Sequence, residues 1–186
     1  MRVVDTLRQF VSNNRIVTTM GLGSAFFVLA EPTLISIALG FPFLLIGESI
    51  RVISSGFIQK NSRLAQEGPY SFTRNPLYFG SFIMGLGFVI MASQWYLFVL
   101  YFLTFYFIYD STIGAEEQYL AKKFGSTFEE YQKKVPRFFP NVTGVGSWEG
   151  SFSWDLVKKH REWNTCLGIF LVVILVFFKM MIGPLI

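Results

Sequence analysis

The sequence predicts an all-α polytopic membrane protein, with five transmembrane helices and a small cytoplasmic helical cap in a single domain. Three observations carry this. The 186 residues are 52% hydrophobic and only 15% charged, with 22 Phe and a mean hydropathy of +0.46, whereas a soluble domain carries about 25% charged residues. Five stretches approach the roughly 20 apolar residues that a helix needs to cross a bilayer. The scarce cations gather on one side of those stretches. A disordered chain and a disulfide-rich secreted module are excluded. One Cys, Cys166, cannot form an internal disulfide, and one His, His160, cannot build a His-based site, so no metal is expected.

The stretches follow in order. Residues 16–30 are short and are closed by Glu31-Pro32. They are not read as a signal peptide, because no small-residue cleavage site follows and further spans do. Residues 33–58 contain Pro42, a candidate kink, and the ionisable pair Glu48 and Arg51. Residues 77–91 and 95–113 form a hairpin turning at Ala92-Ser93-Gln94, and residues 165–185 complete the set. Arg2, Arg8 and Arg15 precede the first span, and Lys60, Arg63 and Arg74 lie between the second and third. Lys122, Lys123, Lys133, Lys134, Arg137, Lys158, Lys159 and Arg161 lie between the fourth and fifth, while only Lys179 sits near the outer end. The positive-inside rule then predicts a cytoplasmic N-terminus and a C-terminus on the opposite side, the setting of a bacterial inner membrane. The net charge of +4 reflects topology and not a nucleic-acid partner.

Polar residues within or beside spans need a reason. Glu48 and Arg51 share a helix face, and ionisable groups at that depth face a bundle interior or a polar cavity. They either hold helices together or bind an anionic group, and Asp110 near the inner end of the fourth span carries the same two readings. Residues 67–80 pack two prolines, two glycines and four aromatics into a helix entrance. Pro76 suits a first turn and Asn75 an N-cap, while Arg74 stands beside free helix N–H groups that favour an anion. A capped interfacial helix explains the same residues. Glu116, Glu117 and Leu120 extend the fourth helix into the cytoplasm until Gly125 ends it. Ser126 and Thr127 with Glu129 and Glu130 form capping-box patterns for a short helix that stops before Pro136. Gly21, Gly23, Gly85 and Gly87 lie in apolar spans and predict close helix packing. His160, with Trp154 and Trp163, predicts an interfacial amphipathic helix.

Taken together, Gly68-Pro-Tyr70, Arg74-Asn-Pro-Leu-Tyr-Phe-Gly80, Glu116-Glu-Gln-Tyr-Leu120, Phe124-Gly125, Tyr131 and Val135-Pro136 resemble the isoprenylcysteine carboxyl methyltransferase and phospholipid methyltransferase superfamily. These are integral-membrane enzymes that use S-adenosylmethionine (SAM). The resemblance covers roughly residues 62–140, with cofactor segments at 62–80 and 112–140. It implies that Ser62, Arg63, Leu64, Ala65, Tyr70, Arg74, Asn75, Pro76, Leu77, Tyr78 and Glu116 contact the cofactor, and that the acceptor is lipid-borne.

Two positions depart from the family pattern. Asn75 replaces the family His, so no His acid–base step is available there. Thr112 stands where isoprenylcysteine enzymes carry an arginine, leaving Arg51, Lys60 or Arg63 to hold an anionic acceptor. Glu117 or Asp110 would serve as base for an amine acceptor. A carboxylate or phosphate acceptor needs none. The alternatives are a sterol-type NADPH-dependent membrane reductase and a non-catalytic lipid-binding membrane protein.

Overall fold

The structure, a computed structural model, describes residues 23–59, 63–141, 148 and 150–183. A short helical stretch at 23–29 precedes α1 (Leu34–Ser55), a 3-10 turn (Gly68–Ser71) and α2 (Pro76–Ala92). Then come α3 (Trp95–Phe124), α4 (Ser126–Lys134), α5 (Trp154–Lys159) and α6 (Glu162–Ile182). Among the described residues there is no strand. Three helices, α1, α3 and α6, are long and apolar enough to cross a membrane; α2, also apolar, is shorter at 17 residues. Among the described residues three helices reach spanning length, where the sequence reading expects five spans. Of the first stretch, residues 16–22 lie outside the described residues.

α1 begins with a reciprocal cap. The Thr33 hydroxyl accepts from the Ser36 N–H at 3.1 Å, and Ser36 Oγ accepts from the Thr33 N–H at 2.9 Å. The Ser36 hydroxyl also donates to the Met91 carbonyl, and the Glu31 N–H donates to the Ala92 carbonyl at 2.8 Å, so the two outer turns are bonded together. The helix continues through Pro42.

α1 and α2 pack antiparallel, backbone against backbone. Glycines seven residues apart on each helix face one another, Gly40 with Gly87 and Gly47 with Gly80. A Cβ at Gly47 would stand 2.5 Å from the Gly80 carbonyl oxygen, and one at Gly80 would stand 2.7 Å from that of Gly47. Small residues let helices approach this closely where no water drives them together. Leu44, Met84, Met91 and Val176 fill the space beside this contact and bring in α6. Gly85 faces the Tyr101 ring of α3, whose hydroxyl donates to the Phe82 carbonyl at 2.7 Å. The expectation of close packing fails at Gly23, where a Cβ would meet nothing within 4 Å. Gly21 lies outside the described residues.

The α2–α3 hairpin turns at Ser93, in the left-handed region at φ 60. α3 then runs unbroken for 30 residues, about 45 Å at 1.5 Å each. It carries the fourth span directly into the cap before Gly125, at φ 51, redirects the chain into α4. Ser126 and Thr127 make no side-chain cap, so the predicted capping box is absent; the turn geometry at Gly125 starts α4. α5 is held to the end of α1 by His160, whose Nδ1 donates to the Ser55 carbonyl at 3.1 Å.

Substituting Gly47 by Leu forces a side chain into the α2 backbone. We expect the thermal midpoint in detergent to fall by the equivalent of about 3 kcal/mol or more, the upper range for overpacking. Gly168→Leu on α6, where nothing lies within 4 Å, is the control and should leave the midpoint in place.

Candidate functional site

The two motif blocks are laced together by hydrogen bonds. The Arg74 N–H donates to the Pro136 carbonyl at 2.9 Å, and the Thr73 hydroxyl donates to Phe138 O at 2.8 Å. Asn75 Nδ2 donates to Arg137 O at 2.8 Å, and the Asn141 N–H donates to Phe72 O. Asn75 does sit at the N-cap of α2, but its side chain makes no cap bond and is used in this lacing instead. Tyr131 of α4 adds a 2.6 Å bond from its hydroxyl to the Tyr70 carbonyl.

Arg74 is the strut behind the site. Its Nε and Nη2 bind Glu117 Oε1 at 3.0 and 2.8 Å, and its Nη1 donates to the Gln132 and Val135 carbonyls at 3.1 and 2.8 Å. Both side chains of the pair are nearly buried, at 11% and 15% exposure. Removing one partner of such a pair costs about 3–5 kcal/mol, since the other is left uncompensated.

In front of this strut lies an open cleft of about 270 Å³. Of the residues singled out from the sequence, Arg63, Leu64, Ala65, Tyr70, Arg74, Asn75, Glu116 and Glu117 line it. Tyr119, Leu120, Phe124 and Phe128 supply apolar wall that the motifs did not single out for this purpose. Tyr78 stands behind, its hydroxyl donating to Glu116 Oε2 at 2.9 Å. Pro76 is fully buried at the start of α2, and Leu77 offers its carbonyl to Ser81. Ser62 and Lys60 lie outside the described residues. Arg63 forks onto Glu67 with two 3.2 Å bonds.

The other two residues picked for chemistry are away from the cleft. Arg51 is held by Glu162 at 2.9 and 3.2 Å and by the Ser81 hydroxyl at 2.7 Å. Its Nη1 also reaches the Leu77 carbonyl at 3.5 Å, so it braces the first turn of α2. Glu48 lies 3.8 Å from it and accepts from the Cys166 thiol. Asp110 binds Arg137 Nη1 at 2.7 Å. Sequence reading missed Glu162 and Arg137 as partners. The signal for the first was an acidic residue at the mouth of an apolar span. For the second it was a cation set between Val-Pro and two phenylalanines.

Among the described residues, the Tyr70 hydroxyl, buried and lining the cleft, has no hydrogen-bond partner. Burial, and then the charge of Glu116, push its ionisation well above the usual tyrosine range, and burial does the same to Tyr131.

The phospholipid methyltransferase family model matches residues 42–127. This central segment is similar to the isoprenylcysteine carboxyl methyltransferase and phospholipid methyltransferase superfamily. It holds α2, α3 and most residues of the cleft. The protein-S-isoprenylcysteine O-methyltransferase of Schizosaccharomyces pombe is 33% identical over 96 residues, 52% of this chain and 41% of the relative. The cobalt-zinc-cadmium resistance protein CzcN of Cupriavidus metallidurans is 33% identical over 93 residues, covering 48% and 43%. The nickel-cobalt-cadmium resistance protein NccN of Alcaligenes xylosoxydans xylosoxydans is 32% identical over 85 residues, covering 46% and 39%. The chain thus spans about two fifths of the length of these relatives. No solved structure matches.

The buried tyrosines set an alkaline limit on stability. Unfolded tyrosine ionises near 10, whereas folded Tyr70 and Tyr131 keep their protons above that, so the folded state binds more protons there. Stability should be full below about pH 10 and fall as pH rises beyond it. Thermal midpoints measured from pH 8 to 11 should show this. Tyr70→Phe should flatten the fall at no cost at pH 8, since the hydroxyl it removes has no partner.

Proposed function

We propose that this chain is an integral-membrane methyltransferase that moves a methyl group from SAM to a lipid-borne acceptor at the cytoplasmic face. The observation that carries the reading is the orphan Tyr70 hydroxyl in a cleft with Glu116, Arg63 and Asn75, inside the segment that matches the methyltransferase family. The chain crosses the bilayer five times in this reading, N-terminus inside, with α2 as a short crossing. The family match gives the reductase and the non-catalytic readings no support.

The residues present fit SAM. Glu116, fixed by Tyr78, would accept from ribose hydroxyls or the ammonium, and the Tyr70 hydroxyl gains the partner it lacks. Arg63, at the edge of the cleft, suits a carboxylate. Leu64, Ala65 and the aromatic wall suit the adenine. When bound, SAM supplies an electrophilic sulfonium methyl, whose carbon–sulfur bond breaks as an acceptor lone pair forms the new bond and the old bonding pair returns to sulfur. The protein orients the two reactants and keeps the site dry. Arg51 acts as a positioning residue on the first turn of α2. Asp110 and Glu117 are also positioning residues here, because guanidinium groups already hold both Glu117 oxygens and Asp110 Oδ1. No general base is then required of them, which favours an acceptor whose nucleophile carries no proton.

Calorimetric titration of the purified protein with SAM tests the reading. The unmutated protein should bind. Glu116→Ala and Tyr70→Phe should each weaken binding about tenfold or more, the worth of one hydrogen bond to a charged or buried partner. Absence of binding by the unmutated protein would overturn the proposal.

A further inference from the structure

Arg137 is tied to the cleft from two sides. Its backbone carbonyl accepts from Asn75 in the cleft wall, and its side chain lies across the stripe that Asp110, Gly114 and Glu117 form on one face of α3. Nη1 donates to Asp110 Oδ1 at 2.7 Å and Nη2 to the Asp110 carbonyl at 3.3 Å. Nε stands 3.2 Å from Glu117 Oε2, a charge contact that is not a hydrogen bond. Gly114 keeps the stripe open: a Cβ there would stand 3.7 Å from Nη2. The guanidinium is therefore fixed in orientation without being used up. Only two of its five N–H groups make hydrogen bonds among the described residues, and the side chain is 40% exposed. Arg74 and Arg51, at 11% and 19%, are enclosed struts by comparison.

The next two residues are apolar. Phe138 packs on Phe79, Phe82 and Phe105 at 5.7–5.8 Å, within the aromatic cluster between α2 and α3. Phe139 is 68% exposed, and Phe102 further along α3 is 48% exposed. A partly open guanidinium followed by exposed aromatic surface, at the membrane end of the cap, is complementary to an amphiphile with an anionic head. The charge balance permits it: Asp110 and Glu117 are matched by Arg137 and Arg74, so an incoming anion meets no excess negative charge.

We propose that Arg137 selects the acceptor, binding an anionic oxygen, of a phosphate or a carboxylate, on an amphiphile whose chain lies over Phe139. This rests on the methyltransferase reading. It adds to that reading a specificity-determining residue and a head-group charge. A guanidinium fork suits either oxygen acid.

The test is equilibrium binding to the full chain in detergent without SAM, using two matched pairs of radiolabelled probes. Phosphatidic acid is compared with diacylglycerol, and S-farnesyl cysteine with its methyl ester. Each anionic member should bind at least tenfold tighter than its neutral match in whichever pair names the head group. Arg137→Gln should abolish that preference, and Arg137→Lys should keep part of it. Asp110→Asn, which releases the guanidinium, should strengthen anion binding severalfold. A purely structural ion pair predicts the reverse for the last variant, with Asp110→Asn and Arg137→Gln losing binding together, and that result overturns the proposal. Equal binding of anionic and neutral probes in both pairs overturns it as well. SAM titration of the same samples separates the two claims: SAM binding without anion preference sinks only the role of Arg137, whereas loss of SAM binding sinks the methyltransferase reading.

Discussion

The guanidinium of Arg74 joins three pieces of chain that are remote in sequence. It belongs to the entrance of α2, grips Glu117 on α3, and satisfies two carbonyls at the end of α4. The walls that Tyr70, Asn75, Glu116, Glu117 and Tyr131 contribute to the cleft lie on those three pieces. A charge inside a nearly buried pocket needs its donors met, and here four bonds engage four of the five guanidinium N–H groups. Glu117 in turn passes the connection to Arg137, and Arg137 to Asp110, so the ladder runs from the cleft toward the bilayer.

A second constraint lies inside the membrane. α1 and α2 approach through paired glycines, and Arg51 with Glu162 and Ser81 fastens α6 to the same pair. Backbone contact and a shielded ion pair do together what apolar packing alone cannot do among lipid chains. The entrance of α2 is thus located from both sides, by Arg51 at the Leu77 carbonyl and by Arg74 just before the helix.

Much of this was legible in the sequence. The hairpin turn at residues 92–94, the stop at Gly125 and the start of α2 at Pro76 are local events set by backbone chemistry, and they lie where the residues placed them. Several residues of the two blocks, among them Tyr70, Asn75 and Glu116, line the cleft, whereas Pro76, Leu77 and Tyr78 do not. Partners were not legible. Nothing in the spacing says that Arg137 meets Asp110 or that Glu162 meets Arg51, because those pairs are made by tertiary packing across 27 and 111 residues. Asn75 and Ser126 read as helix caps from local preference, and in both cases tertiary contacts or turn geometry took over the role. Gly40, Gly47 and Gly80 were overlooked because a glycine in an apolar span gives no sign of what faces it.

The unbroken length of α3 has a mechanical meaning. One stiff rod runs from Trp95 to Phe124, with Glu116 and Glu117 near its C-terminal end. It has no joint of its own between them, so a tilt imposed by a thicker or thinner bilayer is delivered undamped to the cleft carboxylates. Gly125, just past the rod, turns the chain into α4, which Arg74 and Tyr131 tie back to the entrance of α2. The cleft carboxylates thus ride on the same rod as an apolar stretch of membrane-spanning length.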